Sequence, residues 1–252
     1  MSEAMSSAPR LSIVAPMYNE ADGIDQFVSQ LSSAYAALAG AGIATDAVEV
    51  IAVNDGSTDA TAERLAALAR DGRLRVVTHE RNRGLGAALW TGFEAARSDV
   101  IVTVDADCTY HLSGVVDLVR LLDDRTSIVT ASPYHPRGRV DGVPPFRLFL
   151  SRSLSRLYNL VLGSGLHTYT SMFRAYRRAA LQAVPSHESG FIAVTHLLVF
   201  PILAGHRVVE HPTVLGGRRY GASKLRVLRV IRQHLGLVGR IVLWRMRLRR
   251  RV

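Results

Sequence analysis

The chain has 252 residues, 48% of them hydrophobic, which is enough for one large α/β domain with a sizeable core. A single cysteine, Cys108, excludes an intrachain disulfide and favours a reducing compartment. The net charge is +10, so the protein is basic. The N-terminal residues do not resemble a signal peptide and no run reaches ~18 apolar residues, so we expect a protein that does not span a membrane.

Up to residue 131, short apolar runs alternate with amphipathic segments. We expect the polar residues 1–10 to be disordered, the apolar runs after them to be strands, and the intervening segments to be helices. This alternation predicts a Rossmann-like, mostly parallel sheet with flanking helices, within a domain spanning residues 11–224. The predicted strands are residues 11–15, 48–53, 74–78, 100–104 and 127–131.

Polar segments come after each of the first three predicted strands. They are residues 16–20, 54–59 and 81–86. Open α/β sheets bind ligands at the carboxyl ends of their strands, and glycines with arginine at a helix N-terminus suit a phosphate. A plain capped turn remains the alternative for the second segment taken alone. The Gly-x-Gly fragment at Gly84 does not follow the first strand, which disfavours a dinucleotide-binding dehydrogenase.

Asp105 and Asp107 directly follow the fourth predicted strand. On an extended strand residues i and i+2 share a face, so we expect both carboxylates to point at one spot. Neighbouring carboxylates repel each other unless a cation neutralises them, and Mg²⁺ or Mn²⁺ prefers oxygen ligands. The pattern therefore predicts a metal site, with two solvated aspartates in a turn as the alternative. Cys108 beside them is more simply a packing residue than a nucleophile.

The pattern changes after residue 132. A turn-rich segment leads to an amphipathic helix at residues 146–162, and an apolar helix follows near residues 191–204. The arginine-rich stretch from Arg174 is interpreted as the start of a helix, and residues 207–215 as a strand. Residues 225–252 predict a basic amphipathic helix on an anionic membrane surface. Partial packing of this helix on the core, with a solvated arginine tail, is the alternative.

Four motifs of the first half, taken together, resemble those of a known family. In order and spacing they are similar to family 2 glycosyltransferases of the GT-A fold, nearest the dolichol- or polyprenol-phosphate mannosyl and glucosyl transferases. The resemblance extends over about residues 10–225. The motifs are Pro16-Met17-Tyr18-Asn19-Glu20, Asn54-Asp55-Gly56-Ser57-Thr58-Asp59, Arg81-Asn82-Arg83-Gly84 and Asp105-Ala106-Asp107.

The second half resembles the same family more loosely. Arg147 and Ser151 look like the family's pair that contacts the lipid phosphate. Residues 170–174 are similar to a Thr-Ser-Gly-Phe-Arg segment, and residues 218–225 to an Arg-x-x-Gly-x-Ser-Lys loop. The only lysine of the chain, Lys224, falls at the lysine position of that loop. The chain departs from the family, which usually has acids there, at Thr168 and His196.

The resemblance implies an inverting, metal-dependent transfer of a hexose, mannose favoured, from a nucleotide diphosphate sugar to a polyprenyl or dolichyl phosphate. The donor would be GDP-mannose or UDP-glucose, and Mg²⁺ or Mn²⁺ would bind at Asp105 and Asp107. A lipid-linked acceptor implies a cytoplasmic enzyme that is peripheral on the inner face of the membrane. An acceptor phosphate with a second pKa near ~6 is already ionised at neutral pH, so it needs cations and no general base.

The resemblance also implies roles for individual residues. It assigns catalytic roles to Asp107, Arg147, Arg218 and Lys224. Two residues have a structural alternative, Arg147 on the polar face of an interfacial helix and Arg174 in an ion pair. The substrate-binding residues are Pro16, Tyr18, Glu20, Asp55, Arg81, Gly84 and Asp105 for the nucleotide sugar, and Ser151, Arg174 and Ser223 for the acceptor.

Two rival functions remain open from the sequence. A family 2 transferase with a saccharide or another non-lipid acceptor would share the motifs of the first half. A nucleic-acid-binding protein would use the arginine-rich tail. The chain has no interleaved basic and aromatic residues, so no nucleic acid is expected as a partner.

Overall fold

Strands and helices alternate along the computed structural model, which describes residues 11–185, 187–217 and 227–249. Residues 1–10, predicted to be disordered, lie outside the described ranges. The strands are β1 (Leu11–Met17), β2 (Val48–Asn54), β3 (Arg75–Thr78), β4 (Val100–Thr103), β5 (Ile128–Ser132), β6 (Arg139–Val140), β7 (Arg174–Arg177), β8 (Val208–Pro212) and β9 (Val214–Leu215). The helices are α1 (Ile24–Gly40), α2 (Thr61–Arg70), α3 (Leu85–Ala95), α4 (Val115–Arg120), α5 (Pro145–Leu162), α6 (Arg178–Leu181), α7 (Ile192–Leu203) and α8 (Val227–Arg249).

A seven-stranded sheet in the order β3-β2-β1-β4-β7-β5-β8 forms the centre of the fold. The strand β1 pairs in parallel with β2 and β4, β2 with β3, and β5 with β8. The strand β7 runs antiparallel to both of its neighbours, β4 and β5. The mostly parallel α/β architecture predicted from the alternation of elements is thus confirmed.

The strand β7 shows that one sequence prediction was wrong, because Arg174 was expected to start a helix. Arg174, Ala175 and Tyr176 are all buried, and Ala175 and Tyr176 belong to hydrophobic cores on opposite faces of the sheet. Such alternation is typical of a strand that is buried on both faces. Arginines at both ends of this short strand hide the pattern, and the helix begins only at Arg178.

Helices cover both faces of the sheet. Val102 of β4 faces the core that includes α1, α2 and α4, whereas its neighbour Ile101 faces the core that includes α3, α5, α6, α7 and α8. Successive strand residues point to opposite faces, so both must be apolar in a sheet covered on both sides. This double burial explains why the central strands are continuous apolar runs in the sequence.

The helix α8 lies within the predicted span of residues 225–252 and contacts α5 and α7. Leu237, Val238 and Ile241 are buried against the core, while Leu235 and Leu243 are more than half exposed. One side of α8 therefore belongs to the core, and another presents apolar side chains to solvent. A helix with the length and apolar character needed to span a bilayer is not found within the described ranges.

The carboxyl ends of β1, β2, β3 and β4 lie along one edge of the sheet, because these strands are parallel neighbours. The segments that follow them, residues 18–20, 55–59, 79–84 and 105–107, therefore meet at that edge. This position agrees with the binding edge expected for an open α/β sheet.

We expect Gly92→Ala to lower the free energy of unfolding by about 1–3 kcal/mol, since a packed core resists added volume. The helix α3 lies so close to β1 that a Cβ at Gly92 would overlap Cγ1 of Val14. Urea denaturation followed by circular dichroism measures the change.

Gly239→Ala is the matched control, because a Cβ at this position in α8 meets nothing within 4 Å. It should raise the free energy of unfolding by about 0.5–1 kcal/mol, as alanine favours a helix more than glycine does. Changes of the same sign in the two variants would contradict the close packing of α3 on β1.

Candidate active site

The loops that follow β1 and β2 are hydrogen-bonded to each other. Asn19 donates its backbone N–H to Ser57 Oγ over 3.0 Å, and Glu20 donates its backbone N–H to Thr61 Oγ1 over 2.9 Å. Asn19 has a φ of 52°, a left-handed conformation in which asparagine is enriched. These bonds fix the backbone of the loop that carries Tyr18 and Glu20, two residues predicted to bind the donor.

Asp55 connects the loop after β2 to the loop after β3. Its carboxylate accepts the backbone N–H groups of Arg83 and Gly84, each over 2.8 Å, and lies 2.7 Å from Nδ1 of His79. Asp55 is 3% exposed, so these groups replace water around its charge. The sequence predicts that Asp55 contacts the base and ribose. In the structure its oxygens organise a neighbouring loop, and contact with a nucleotide stays a prediction.

The N-terminus of α3, predicted to suit a phosphate, is occupied by the protein's own backbone. Gly86 donates its N–H to the carbonyl of Ser189 over 2.7 Å, and Ala87 donates to the same oxygen over 3.4 Å. These amides therefore already have acceptors. A phosphate in this region would instead meet the exposed side chains of Arg81 and Arg83.

Asp105 and Asp107 line one cavity of about 790 Å³. They occupy a turn after β4, in which Cys108 has a φ of 54° and donates its N–H to the carbonyl of Asp105 over 3.3 Å. Asp107 is 7% exposed, and its Oδ1 accepts the backbone N–H of Thr109 over 3.1 Å. Both carboxylates thus reach the same cavity as expected, but a turn brings them there, whereas the prediction assumed an extended strand.

Negative charge is concentrated around this turn. Burial, followed by the charges of Asp107, Asp105 and Glu20, raises the pKa of the Cys108 thiol to about 12. The thiol is therefore protonated at neutral pH, which agrees with a packing role.

The carboxylate pair fits a divalent cation by its chemistry. Mg²⁺ and Mn²⁺ prefer oxygen ligands, and Mg²⁺ commonly binds through one or two carboxylates together with water and substrate phosphates. Among the described residues, no group of three or more histidine, cysteine, aspartate or glutamate side chains is arranged to hold a metal ion. Asp105 and Asp107 would thus supply the protein ligands, and substrate and water the others.

The cavity continues from the aspartates along α5 and α8. Its wall on α5 includes Arg147 and Ser151, both predicted to contact the acceptor phosphate. Ser151 Oγ lies 2.7 Å from Thr170 Oγ1, which also lines the cavity. The cavity therefore has a polar part near the aspartates and an apolar part between the two helices. The apolar residues on these helices that line it are Leu150, Leu154, Leu157, Val230, Ile231 and Leu235.

Arg174 lies behind the cavity wall and is fully buried. Its guanidinium donates to the carbonyls of Ser171 and Val194 over 2.7 and 2.9 Å, and to the hydroxyls of Thr130 and Tyr176 over 3.2 Å each. This position differs from the predicted contact with the acceptor phosphate. Because Ser171 and Val194 line the cavity, Arg174 instead shapes its wall.

Two other predicted site residues lie within β1 or just beyond its end, and three lie outside the described part of the chain. Pro16 is buried within β1 and Tyr18 is partly buried beyond its end. The predicted basic residues and serine of the late loop, Arg218, Ser223 and Lys224, lie outside the described residues.

Sequence reasoning missed Tyr134, His79 and His234. Tyr134 lines the cavity, and the Arg152 guanidinium lies 5.4 Å from its ring centroid. His79 directly follows β3, so the rule that singled out polar residues after the other strands would have found it. The position of His234 on the cavity wall depends on how α8 docks, which carries no signal in local sequence.

Comparison with known proteins assigns the chain to a family. The model of glycosyl transferase family 2 matches residues 12–184. The chain is 31% identical over 236 residues to the undecaprenyl-phosphate 4-deoxy-4-formamido-L-arabinose transferase of Klebsiella pneumoniae, covering 91% of this chain and 66% of that protein. It is 30% identical over 225 residues to the polyprenol monophosphomannose synthase of Mycolicibacterium smegmatis, covering 86% and 81%. The chain thus spans slightly less than two thirds of the Klebsiella relative.

A solved structure shares the fold. Over 94% of this chain and 78% of the other, the protein is similar to the glucosyl-3-phosphoglycerate synthase of Mycobacterium tuberculosis in complex with Mn²⁺, uridine diphosphate and glucosyl-3-phosphoglycerate. The TM-score is 0.63 and the sequence identity is 23%. This likeness concerns the fold alone, and it confirms the predicted GT-A architecture.

Two buried histidines lie where α8 meets α5 and α7. His234 Nδ1 is 3.0 Å from the Tyr158 hydroxyl, and burial together with nearby His196 lowers the pKa of His234 to about 4. Neither ring nitrogen of His196 has a hydrogen-bond partner within the described part of the chain. Burial lowers the pKa of His196, Glu188 raises it and Arg240 lowers it further. Both rings are therefore neutral when the protein is folded at neutral pH.

We expect the free energy of unfolding to fall as the pH drops from 6.5 to about 4. In this interval the unfolded chain binds a proton at His234 that the folded protein does not, so acid favours unfolding by up to about 1.4 kcal/mol per pH unit. His234→Asn, whose amide nitrogen lies near the position of Nδ1 and can keep the hydrogen bond to Tyr158, should flatten this dependence. Urea denaturation between pH 7 and pH 4.5 measures it.

His111→Gln is the control, since His111 is exposed, and it should leave the pH dependence unchanged. If wild type and the His234 variant lost stability with the same slope, the linkage to His234 would be wrong.

Proposed function

Because the chain belongs to glycosyl transferase family 2, we propose that it moves a hexose from a nucleotide diphosphate sugar to a polyprenyl phosphate, with inversion. The names of the two relatives include undecaprenyl phosphate or polyprenol, and one includes mannose. Mannose from GDP-mannose is the favoured donor sugar. UDP-glucose is the alternative, because the similar mycobacterial structure holds uridine diphosphate.

One observation carries this proposal, namely that a single cavity has both a polar and an apolar part. Asp105 and Asp107 line the polar part, and aliphatic side chains of α5 and α8 line the apolar part. The first isoprene units of a lipid phosphate would bury apolar surface there, which a sugar acceptor does not do. The cavity therefore suits an acceptor with a phosphate at one end and a hydrocarbon chain at the other.

The reaction brings together two anions, the acceptor phosphate and the diphosphate of the donor, so it needs positively charged side chains that reduce their repulsion. The acceptor phosphate is ionised at neutral pH and attacks without a general base. Arg147 lines the cavity and would bind this phosphate directly. Arg218 and Lys224 are the further cations that we propose from the sequence. Arg174 would act indirectly, by holding the cavity wall at Ser171.

Asp105 and Asp107 would hold Mg²⁺ or Mn²⁺, an ion that offsets charge on the leaving nucleoside diphosphate when it is bound. The bond from the Thr109 amide to Asp107 Oδ1 keeps that carboxylate oriented before substrate arrives. The loops at Glu20 and Asp55 would enclose the nucleotide beside the pair. These groups are preorganised, so little rearrangement is needed as the sugar takes on oxocarbenium character.

Exposed apolar side chains support contact with a membrane. Phe146 and Phe149 of α5 are 64% and 66% exposed, and Leu235 and Leu243 of α8 are 56% and 58% exposed. Leu235 also lines the cavity, so apolar surface continues from the cavity to the exterior. Side chains of this kind enter the interfacial region of a bilayer.

Exposed arginines accompany this apolar surface. Arg147 and Arg152 lie on α5, and Arg229 and Arg232 on α8. Each arginine near an anionic leaflet contributes ~1 kcal/mol of binding. These features support our proposal of a peripheral enzyme at the cytoplasmic face of the membrane, with its cavity open to lipid.

Asp107→Asn should weaken the Mn²⁺-dependent binding of a nucleoside diphosphate at least about tenfold, because one of two carboxylates that neutralise the ion is lost. Calorimetric titration of GDP and of UDP, with and without Mn²⁺, measures the affinities. The nucleotide that wild type binds names the donor base, and radiolabelled transfer to a polyprenyl phosphate then tests the acceptor.

Asp99→Asn serves as the control, because Asp99 is an exposed aspartate just before β4. It should bind nucleotide as wild type does. A wild-type protein that binds neither GDP nor UDP would overturn the proposal. Transfer to a soluble saccharide but not to the lipid phosphate would assign the non-lipid acceptor instead.

The double variant Phe146→Ser and Phe149→Ser should bind vesicles with anionic lipids at least about tenfold more weakly, because burying one phenylalanine is worth about 1.5–3 kcal/mol. Nucleotide affinity should not change, since neither residue lies at the nucleotide loops. Vesicle sedimentation measures the binding.

Leu121→Ser is the control, because Leu121 is 39% exposed and follows α4 on the other face of the sheet. It should bind vesicles normally. Equal binding by the double variant and wild type would show that α5 does not meet the membrane.

A further inference from the structure

His79 bridges three elements at the edge of the sheet. It follows β3 directly, and its backbone N–H donates to the carbonyl of Asn54 over 2.9 Å. Its Nδ1 lies 2.7 Å from Asp55 Oδ1, and its Nε2 lies 2.9 Å from Thr91 Oγ1 on α3. The side chains of His79 and Asp55 are only 5% and 4% exposed. A carboxylate only accepts hydrogen bonds, so Nδ1 carries the proton in this pair.

The partner of His79 is the carboxylate that holds the following loop. Asp55 Oδ1 also accepts the N–H of Arg83, and Oδ2 accepts the N–H of Gly84. The bond from His79 therefore fixes the rotation of a carboxylate whose two oxygens bind two successive amides. Leu85, the next residue, lines the cavity. The geometry of residues 81–84 relative to the cavity thus depends on how Asp55 is oriented.

We infer that His79 is a positioning residue of the donor site, which acts through Asp55 and sets the conformation of residues 81–84. This inference rests on the proposed function, since it assigns that loop to the nucleotide sugar. Histidine suits the task because its two nitrogens reach in opposite directions, one to Asp55 and one to α3. The side chain holds the loop from behind and is too deeply buried to touch the nucleotide.

Two substitutions separate the two bonds. Asparagine places its amide nitrogen near the position of Nδ1, and glutamine places its amide nitrogen near the position of Nε2. His79→Asn should therefore keep the bond to Asp55, and His79→Gln should keep the bond to Thr91. Glutamine is closer to histidine in volume, so a role in packing alone would favour His79→Gln.

The experiment compares wild type, His79→Asn and His79→Gln in two measurements. Calorimetry with Mn²⁺ gives the affinity for GDP and for UDP. Hydrogen exchange of the protein without nucleotide gives the protection of the Arg83 and Gly84 amides. We expect His79→Gln to bind the nucleotide about tenfold more weakly, as for the loss of one hydrogen bond to a charged group, and to exchange faster at these amides. His79→Asn should stay within about threefold of wild type in affinity.

The outcomes distinguish this inference from the proposed function. If wild type binds a nucleotide and His79→Gln binds it equally well, the positioning role is wrong. If wild type binds neither nucleotide, the proposed function fails and the donor-site role falls with it. Hydrogen exchange still tests the local geometry in that case. If the Arg83 and Gly84 amides are protected equally in His79→Asn and His79→Gln, His79 does not orient Asp55.

Discussion

The loops proposed to hold the donor depend on one buried carboxylate, that of Asp55. A charge that is removed from water must find hydrogen-bond donors within the protein. Asp55 finds them in His79 and in two backbone amides of the loop after β3, whereas Asp55 itself follows β2. Satisfying a single charge therefore fixes two loops relative to each other. Gly56 completes the fit, since a Cβ there would overlap the backbone of Arg81.

A buried cation, Arg174, has the same role on the side proposed to bind the acceptor. Arg174 lies in β7, an inner strand of the sheet, and its guanidinium donates to the backbone carbonyls of Ser171 and Val194. Both residues belong to the cavity wall, and Val194 lies on α7. The guanidinium thus joins the sheet to the helical layer that carries the apolar part of the cavity. An anion and a cation, neither of them open to solvent, organise the two halves of the site.

The first half of the fold was predictable because its strands are buried on both faces and so have continuous apolar sequences. The meeting of the motifs after those strands was predictable too, because neighbouring parallel strands end at the same edge of a sheet. The strand β7 was not predictable, because Arg174 and Arg177 at its two ends leave only two apolar residues between them. Contacts between distant segments were also hidden. Ser189 caps α3 from about a hundred positions away, and no periodicity encodes such a meeting.

The antiparallel strand β7 has a consequence for how the protein is made. It lies between β4 and β5, so β5 has no neighbour on that side until the ribosome has added residues 174–177. The amides of Gly86 and Ala87 at the start of α3 gain their acceptor later still, when Ser189 has been added. A nascent chain therefore holds an open edge at β5 until β7 has been made. Such an edge is prone to pair with other chains, so the emerging protein is most vulnerable to aggregation in the interval before β7 pairs with β5.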